Sequence, residues 1–144
     1  MSSRDIIKLG LTIGLLISTS TATAHGTEKH SKMNAADDRM KKLHSMMPMF
    51  SRSAANLESA LGRGDAASAE AEAGKMLAAI PDLKKARPHK NSNKRKKFVE
   101  MTGNLEVAVK ETVDFAKRGD FPGARTSFRQ VDGACAACHY MFRD

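Results

Sequence analysis

The strongest constraint on the fold of this chain is a repeated helical spacing of its apolar residues. Four stretches place apolar side chains at alternating steps of three and four, which is the period of a helix with one buried face. These stretches span residues 36–61, 66–80, 98–115 and 124–142. No stretch shows the convincing period-2 alternation that is typical of a strand. With 144 residues there is room for one domain, so the spacing predicts an all-α four-helix bundle.

Two Arg-Gly-Asp tripeptides mark predicted junctions between helices. One occupies residues 63–65, between the first and second helices, and the other residues 118–120, between the third and fourth. Glycine readily takes the left-handed conformation that ends a helix, and aspartate then caps the next one. Pro48 is expected to kink the first helix, and Pro81 is expected to stop the second. These breaks favour helices joined by short turns.

The link between the second and third helices, residues 84–97, is strongly basic. It contains eight Lys or Arg residues and no acid, in a chain whose formal net charge is +8. One interpretation is a docking patch for an acidic partner. The other is a solvated loop that keeps the protein in solution, and the charge pattern is equally compatible with both. We expect no nucleic-acid partner.

Residues 1–24 have the organisation of a secretory signal peptide. Basic residues precede a short apolar run at 9–17, and Ala-Thr-Ala at 22–24 provides an A-x-A cleavage site. The apolar run is too short to span a bilayer comfortably, so we expect no stable membrane insertion. A retained amphiphilic anchor is the alternative. The expected mature protein is a single domain of residues 25–144 in the periplasm of a bacterium.

The reactive side chains are concentrated in Cys135-Ala-Ala-Cys138-His139, within the fourth stretch, residues 124–142. C-x-x-C-H is the attachment motif of c-type haem. On a helix, thiols three residues apart share a face, so each can add to a vinyl group of one porphyrin, and His139 can ligate the iron from the proximal side. A zinc site would need a fourth ligand, and a thioredoxin-like pair would open a helix in an α/β domain. The motif therefore predicts one covalently attached haem c and no catalytic residue.

The chain resembles class II c-type cytochromes, the group of cytochrome c prime and its methionine-ligated, low-spin relatives. The matching residues are Gly119, Asp120, Phe128, Val131, Cys135, Cys138, His139, Tyr140, Met141, Phe142 and Arg143, with Arg39, Leu43 and Phe50 in the first helix. The resemblance implies an antiparallel up-down-up-down bundle. The segment between helices two and three departs from the family, because it is shorter, more basic and without Trp. Inferences about partners and a homodimer are left open for that reason.

The resemblance also implies which residues surround the haem. Leu43, four residues after Arg39, would face the iron on its distal side. An apolar residue there leaves the iron five-coordinate and open to small gases such as nitric oxide, whereas a methionine gives a six-coordinate electron carrier. Met40 and Met47 lie one turn on either side of Leu43 and are candidate distal ligands. Arg39 and Arg143 are expected near the haem edge, where a guanidinium can pair with a propionate.

The sequence therefore leaves two functions open. The one we favour is a mono-haem carrier of electrons between periplasmic redox proteins, acidic ones in particular, without enzymatic activity. The alternative is a five-coordinate gas-binding protein. Met46 and His44 crowd the same turns as Leu43 and add potential ligands, although methionines at these positions can simply fill the core.

Overall fold

The computed structural model describes the backbone of residues 27–143 and the side chains of residues 37–143. The signal-peptide prediction for residues 1–24 lies outside the described residues. From residue 27 to residue 143 the chain forms four α-helices and no strand: α1 (Thr27–Arg63), α2 (Ala66–Lys85), α3 (Arg95–Lys117) and α4 (Phe121–Phe142). The predicted all-α bundle of four helices is confirmed.

Each helix packs against the one that follows it in the chain. The contacts between α1 and α2, α2 and α3, and α3 and α4 are extensive, and the contact that closes the ring, between α1 and α4, is much smaller. Apolar side chains from all four helices form one core, as expected for a bundle. Over residues 27–143, none of the helices combines the length and the apolarity that crossing a membrane requires.

The two Arg-Gly-Asp turns adopt the predicted geometry. Gly64 and Gly119 have φ angles of 69° and 75°, in the left-handed region that glycine enters without a steric penalty. Asp65 and Asp120 follow as N-caps, and each side chain accepts a hydrogen bond from the main-chain N–H three residues later, at 3.0 and 2.8 Å. Both tripeptides therefore end one helix and start the next.

The prolines interrupt the helices less than the sequence indicated. Pro48 lies inside α1 and does not end it. Pro81 was predicted to stop α2, and this is wrong, because α2 continues to Lys85. Leu83 is buried one turn after Ile80, so core packing favours the extra turn and offsets the hydrogen bond that proline cannot donate. As a consequence, only residues 86–94 of the basic segment are non-helical.

Candidate functional site

The two cysteines lie on one face of α4, one turn apart. Cys135 and Cys138 are free thiols, half-buried, and both pack against the hydrophobic core. The helix continues through them because Val131 and Phe142, on either side, are buried and hold this face against α3. The next two residues are more exposed than the cysteines: His139 is exposed in part, and Tyr140 is 88% exposed. The predicted arrangement of two thiols on one helical face is therefore present.

The local electrostatics keep both thiols protonated. Burial raises the pKa of Cys135 to about 11, and the nearby Asp132 carboxylate and Cys138 add to the effect. Burial likewise raises the pKa of Cys138. Thiolate-based redox and metal chemistry depends on lowered cysteine pKa values, so this pair lacks the environment of a thioredoxin-like or zinc-binding pair. Neutral thiols are compatible with addition to a vinyl group.

The surroundings of His139 favour its neutral form, which is the form that binds a metal. Desolvation of its ring lowers the pKa of His139, and the neighbouring guanidinium of Arg143 lowers it further. An unprotonated ring nitrogen is required of an axial imidazole ligand. Arg143 is the C-cap of α4, and its main-chain N–H donates to the main-chain oxygen of His139. It therefore lies beside His139, and its side chain is exposed.

The candidate distal residues of α1 differ in their burial. Leu43 and Met46 are each 9% exposed, whereas Met40 and Met47 are only half-buried. His44 is exposed. Of the residues on these turns that could ligate a metal, Met46 thus lies deepest in the core, although the apolar spacing had placed Met47 on the buried stripe. Met46 and Met47 lie three and four residues after Leu43, so helical spacing allows either to share its buried face. Only the packing of the folded chain shows which of the two is buried.

Arg39 lines a basic cavity at one end of the bundle. The cavity has a volume of about 360 Å³. It is lined by Arg39, Lys42, Asp82, Lys85, Ala86 and Arg95. The Arg95 guanidinium donates to the main-chain oxygens of Ala86, at 2.6 Å, and Lys84. Desolvation and the Arg39 charge lower the pKa of Arg95. Sequence reasoning missed Arg95, whose only signal was its place in a run of basic residues.

The segment between α2 and α3 is attached to the end of α4 that carries the cysteines. The side-chain amide of Asn91 donates to the main-chain oxygen of Met141 at 2.7 Å. The rings of Phe98, at the start of α3, and Phe142 meet edge to face with centroids 5.2 Å apart. The thiols, His139 and the basic residues therefore lie at the same end of the bundle.

Comparisons of the chain with protein-family models, with curated proteins and with solved structures find no match. Among the side chains that the structure describes, no three or more His, Cys, Asp or Glu residues converge in a group that could hold a metal ion. The resemblance to class II cytochromes thus stays a prediction that depends on the residues of α1 and α4.

Proposed function

We propose that this protein is an exported, periplasmic mono-haem c-type cytochrome that carries electrons between redox partners. The observation that carries the proposal is the position of Cys135 and Cys138, half-buried and one turn apart on α4, with His139 directly after them. Two thiols and one imidazole at this spacing are the donor set that a c-type haem requires.

The packing of the helices supports a flat ring beside α4. The contact between α1 and α4 is the smallest of the four contacts that close the bundle. Separating α1 from α4 would therefore break fewer contacts than opening any other pair of neighbouring helices. Leu43 and Met46 are the buried residues of α1 on the turns that the resemblance would place near the haem. The packing of α1 and α4 and the residues on these helices therefore fit a haem.

The chain's own residues would bind and orient the cofactor in distinct ways. Cys135 and Cys138 would hold it covalently through thioethers, and His139 would ligate the iron. Arg39 and Arg95 line one cavity, and their guanidinium groups would pair with the propionate carboxylates of the haem. A bound haem supplies a one-electron couple between ferric and ferrous iron.

The charge around this end of the bundle supports a carrier that docks with acidic partners. Residues 84–97 carry eight cations, and Asn91 fixes the middle of that segment beside the end of α4. Complementary charge raises the rate of encounter between redox proteins. A partner that docked on this segment would lie close to the cysteines. The second candidate function, gas binding at an open iron, is favoured by the burial of Leu43, the residue that the resemblance to class II cytochromes would place on the distal side of the iron.

The proposal is tested first by asking whether the haem is covalently attached. The protein expressed in a host that matures c-type cytochromes should show a Soret band, and its haem should resist extraction with acidified acetone. The C135A/C138A double variant should lose its haem to the same extraction. Ser127→Ala, at another inward position of α4, is the matched control and should retain it. A wild-type protein that has no Soret band, or that releases its haem, contradicts the proposal.

A second experiment tests the axial role of His139. His139→Gln should change the spectrum of the ferrous protein, because a carboxamide replaces a strong nitrogen ligand. His89→Gln is the matched control, since His89 lies in the segment between α2 and α3 and is exposed. Identical spectra for wild type and the His139→Gln variant would contradict the assignment. Cell fractionation, with the expected N-terminus at residue 25, tests the export that the signal sequence predicts.

A further inference from the structure

Two histidines far apart in sequence meet at the surface of the bundle. His44 lies on α1, and His89 lies in the segment between α2 and α3, 45 residues later. Their Nε2 atoms are 2.5 Å apart, and the ring centroids are separated by 4.6 Å with an angle of 33° between the planes. Both side chains are exposed. The pair therefore presents two converging ring nitrogens directly to solvent.

The backbone that carries each ring is fixed by packing. His44 follows the buried Leu43 on α1, so the helix sets its direction. On the other side, Pro88 is buried next to His89, and Asn91 anchors the same segment to α4. The backbone under each imidazole is thus fixed by a separate element, and the rings themselves contact each other through their Nε2 atoms. Such preorganisation lowers the cost of binding a ligand between them.

We propose that His44 and His89 form a surface site for a divalent transition metal. Imidazole nitrogen suits Cu²⁺, Ni²⁺ and Zn²⁺, with Cu²⁺ favoured over Zn²⁺ by intrinsic affinity. Metal–nitrogen bonds of about 2.0–2.1 Å place two adjacent ligand nitrogens about 2.9–3.3 Å apart. The rings need to open by less than 1 Å from their separation of 2.5 Å. Water molecules would complete the coordination.

The charges around the pair set the affinity of the site. On α1, Lys41 pairs with Asp37 at 2.8 Å, and Lys42 pairs with Asp82 at 2.9 Å, so each of these cations is compensated by a carboxylate. Lys90, next to His89, adds positive charge and opposes a cation. With two protein ligands and this charge, we expect reversible binding rather than a closed structural site.

The site is tested by titrating the purified protein with Zn²⁺ in a calorimeter. His44→Gln and His89→Gln should each weaken the same single binding event by at least about tenfold, because one chelating ligand is lost. The double variant should lose the binding event altogether, since neither imidazole remains to bind zinc. Unchanged melting temperatures without zinc would show that both variants keep the fold.

Two further variants separate this site from other zinc ligands. His30→Gln should leave the binding event unchanged. Glu58→Gln, which removes an exposed carboxylate of α1, should also leave it unchanged. The proposal is overturned if either His44→Gln or His89→Gln binds zinc as the wild type does. It is equally overturned if each single variant binds half as much zinc with unchanged affinity, which would indicate two independent histidines.

Discussion

The side-chain amide of Asn91 donates a hydrogen bond to the main-chain oxygen of Met141, 2.7 Å away. This contact joins the segment between α2 and α3 to the last turn of α4, three residues after Cys138. Asn91 also adopts a φ angle of 53°, a left-handed conformation that asparagine tolerates better than most residues. One residue thus fixes both the path of the basic segment and its position beside the candidate site.

Replacement of Asn91 should destabilise the protein. Asn91→Gly keeps the left-handed backbone but removes the hydrogen bond, so the free energy of unfolding should fall by about 1 kcal/mol. Asn91→Ala should cost about 1–2 kcal/mol more, because alanine is strained at positive φ. Urea denaturation measures both values. Asn93→Gly, at an exposed position in the same segment, is the control and should change stability by about 0.5 kcal/mol at most. Equal losses at positions 91 and 93 would contradict the anchoring role.

The start of α4 should be unusually sensitive to a single methyl group. A Cβ atom at Gly123 would lie 2.7 Å from Cδ1 of Phe115 and would also collide with the Asp120 carboxylate that caps the helix. Gly123→Ala should therefore lower the free energy of unfolding by about 1–3 kcal/mol. Gly74→Ala in α2 has open space around the new atom and should stabilise the protein by about 0.5–1 kcal/mol. Thermal or urea unfolding that shows the same sign for both variants would contradict this packing.

The sequence predicted the helices well because their apolar period is independent of long-range contacts. The exception at Pro81 is instructive. A missing N–H is a local penalty that sequence reveals, whereas the compensating burial of Leu83 depends on how α2 packs against its neighbours. The exact bounds of the basic segment could not be predicted for the same reason.

The candidate site was predictable only where its residues are close in sequence. The shared face of Cys135 and Cys138 follows from helical spacing alone. The cavity that joins Arg39 to Arg95 and the meeting of His44 with His89 join different elements, and no periodicity encodes such pairs. A composition that is rich in basic residues gave no means of choosing Arg95 among them.

A cluster of three charged residues between α2 and α3 should make the free energy of unfolding depend on pH in the acidic range. The Nζ atoms of Lys84 and Lys110 lie 2.6 and 2.5 Å from the Glu106 carboxylate. Hydrogen bonds from Lys110 and Lys84 lower the pKa of Glu106 from 4.5 to about 2. The carboxylate therefore stabilises the folded state above pH 4.5, and that contribution is lost as the pH falls toward 2.

Glu106→Gln should flatten the decline of stability in that pH range. The free energy of unfolding, measured by urea denaturation at several pH values from neutral to acidic, should depend less on pH in the variant than in the wild type. Because the carboxylate is partly exposed, raising the salt concentration should weaken the effect. Glu58→Gln, at an exposed carboxylate on α1, is the control that removes one negative charge outside the cluster. Parallel curves for wild type and Glu106→Gln would show that the cluster contributes nothing.

The distal side of the proposed haem decides between electron transfer and gas binding. If the protein is a carrier, its ferrous form should be low-spin and should react slowly with carbon monoxide, because a thioether occupies the sixth position. Met46 is the methionine most deeply buried beside Leu43, so we expect it to provide that sulfur. Met46→Leu should produce a high-spin ferrous spectrum and rapid binding of carbon monoxide. The replacement conserves volume and should cost less than about 1.5 kcal/mol of stability.

Met40→Leu and Met47→Leu are the matched controls for that experiment. Both side chains are half-buried on the same helix, and if Met46 is the ligand, neither replacement should change the spin state. A change in one of these variants alone would transfer the assignment to that residue and leave the carrier proposal intact. If the wild-type ferrous protein is already high-spin and binds carbon monoxide rapidly and stoichiometrically, no methionine closes the site. In that case Leu43 covers an open iron, and gas binding replaces electron transfer as the proposed function.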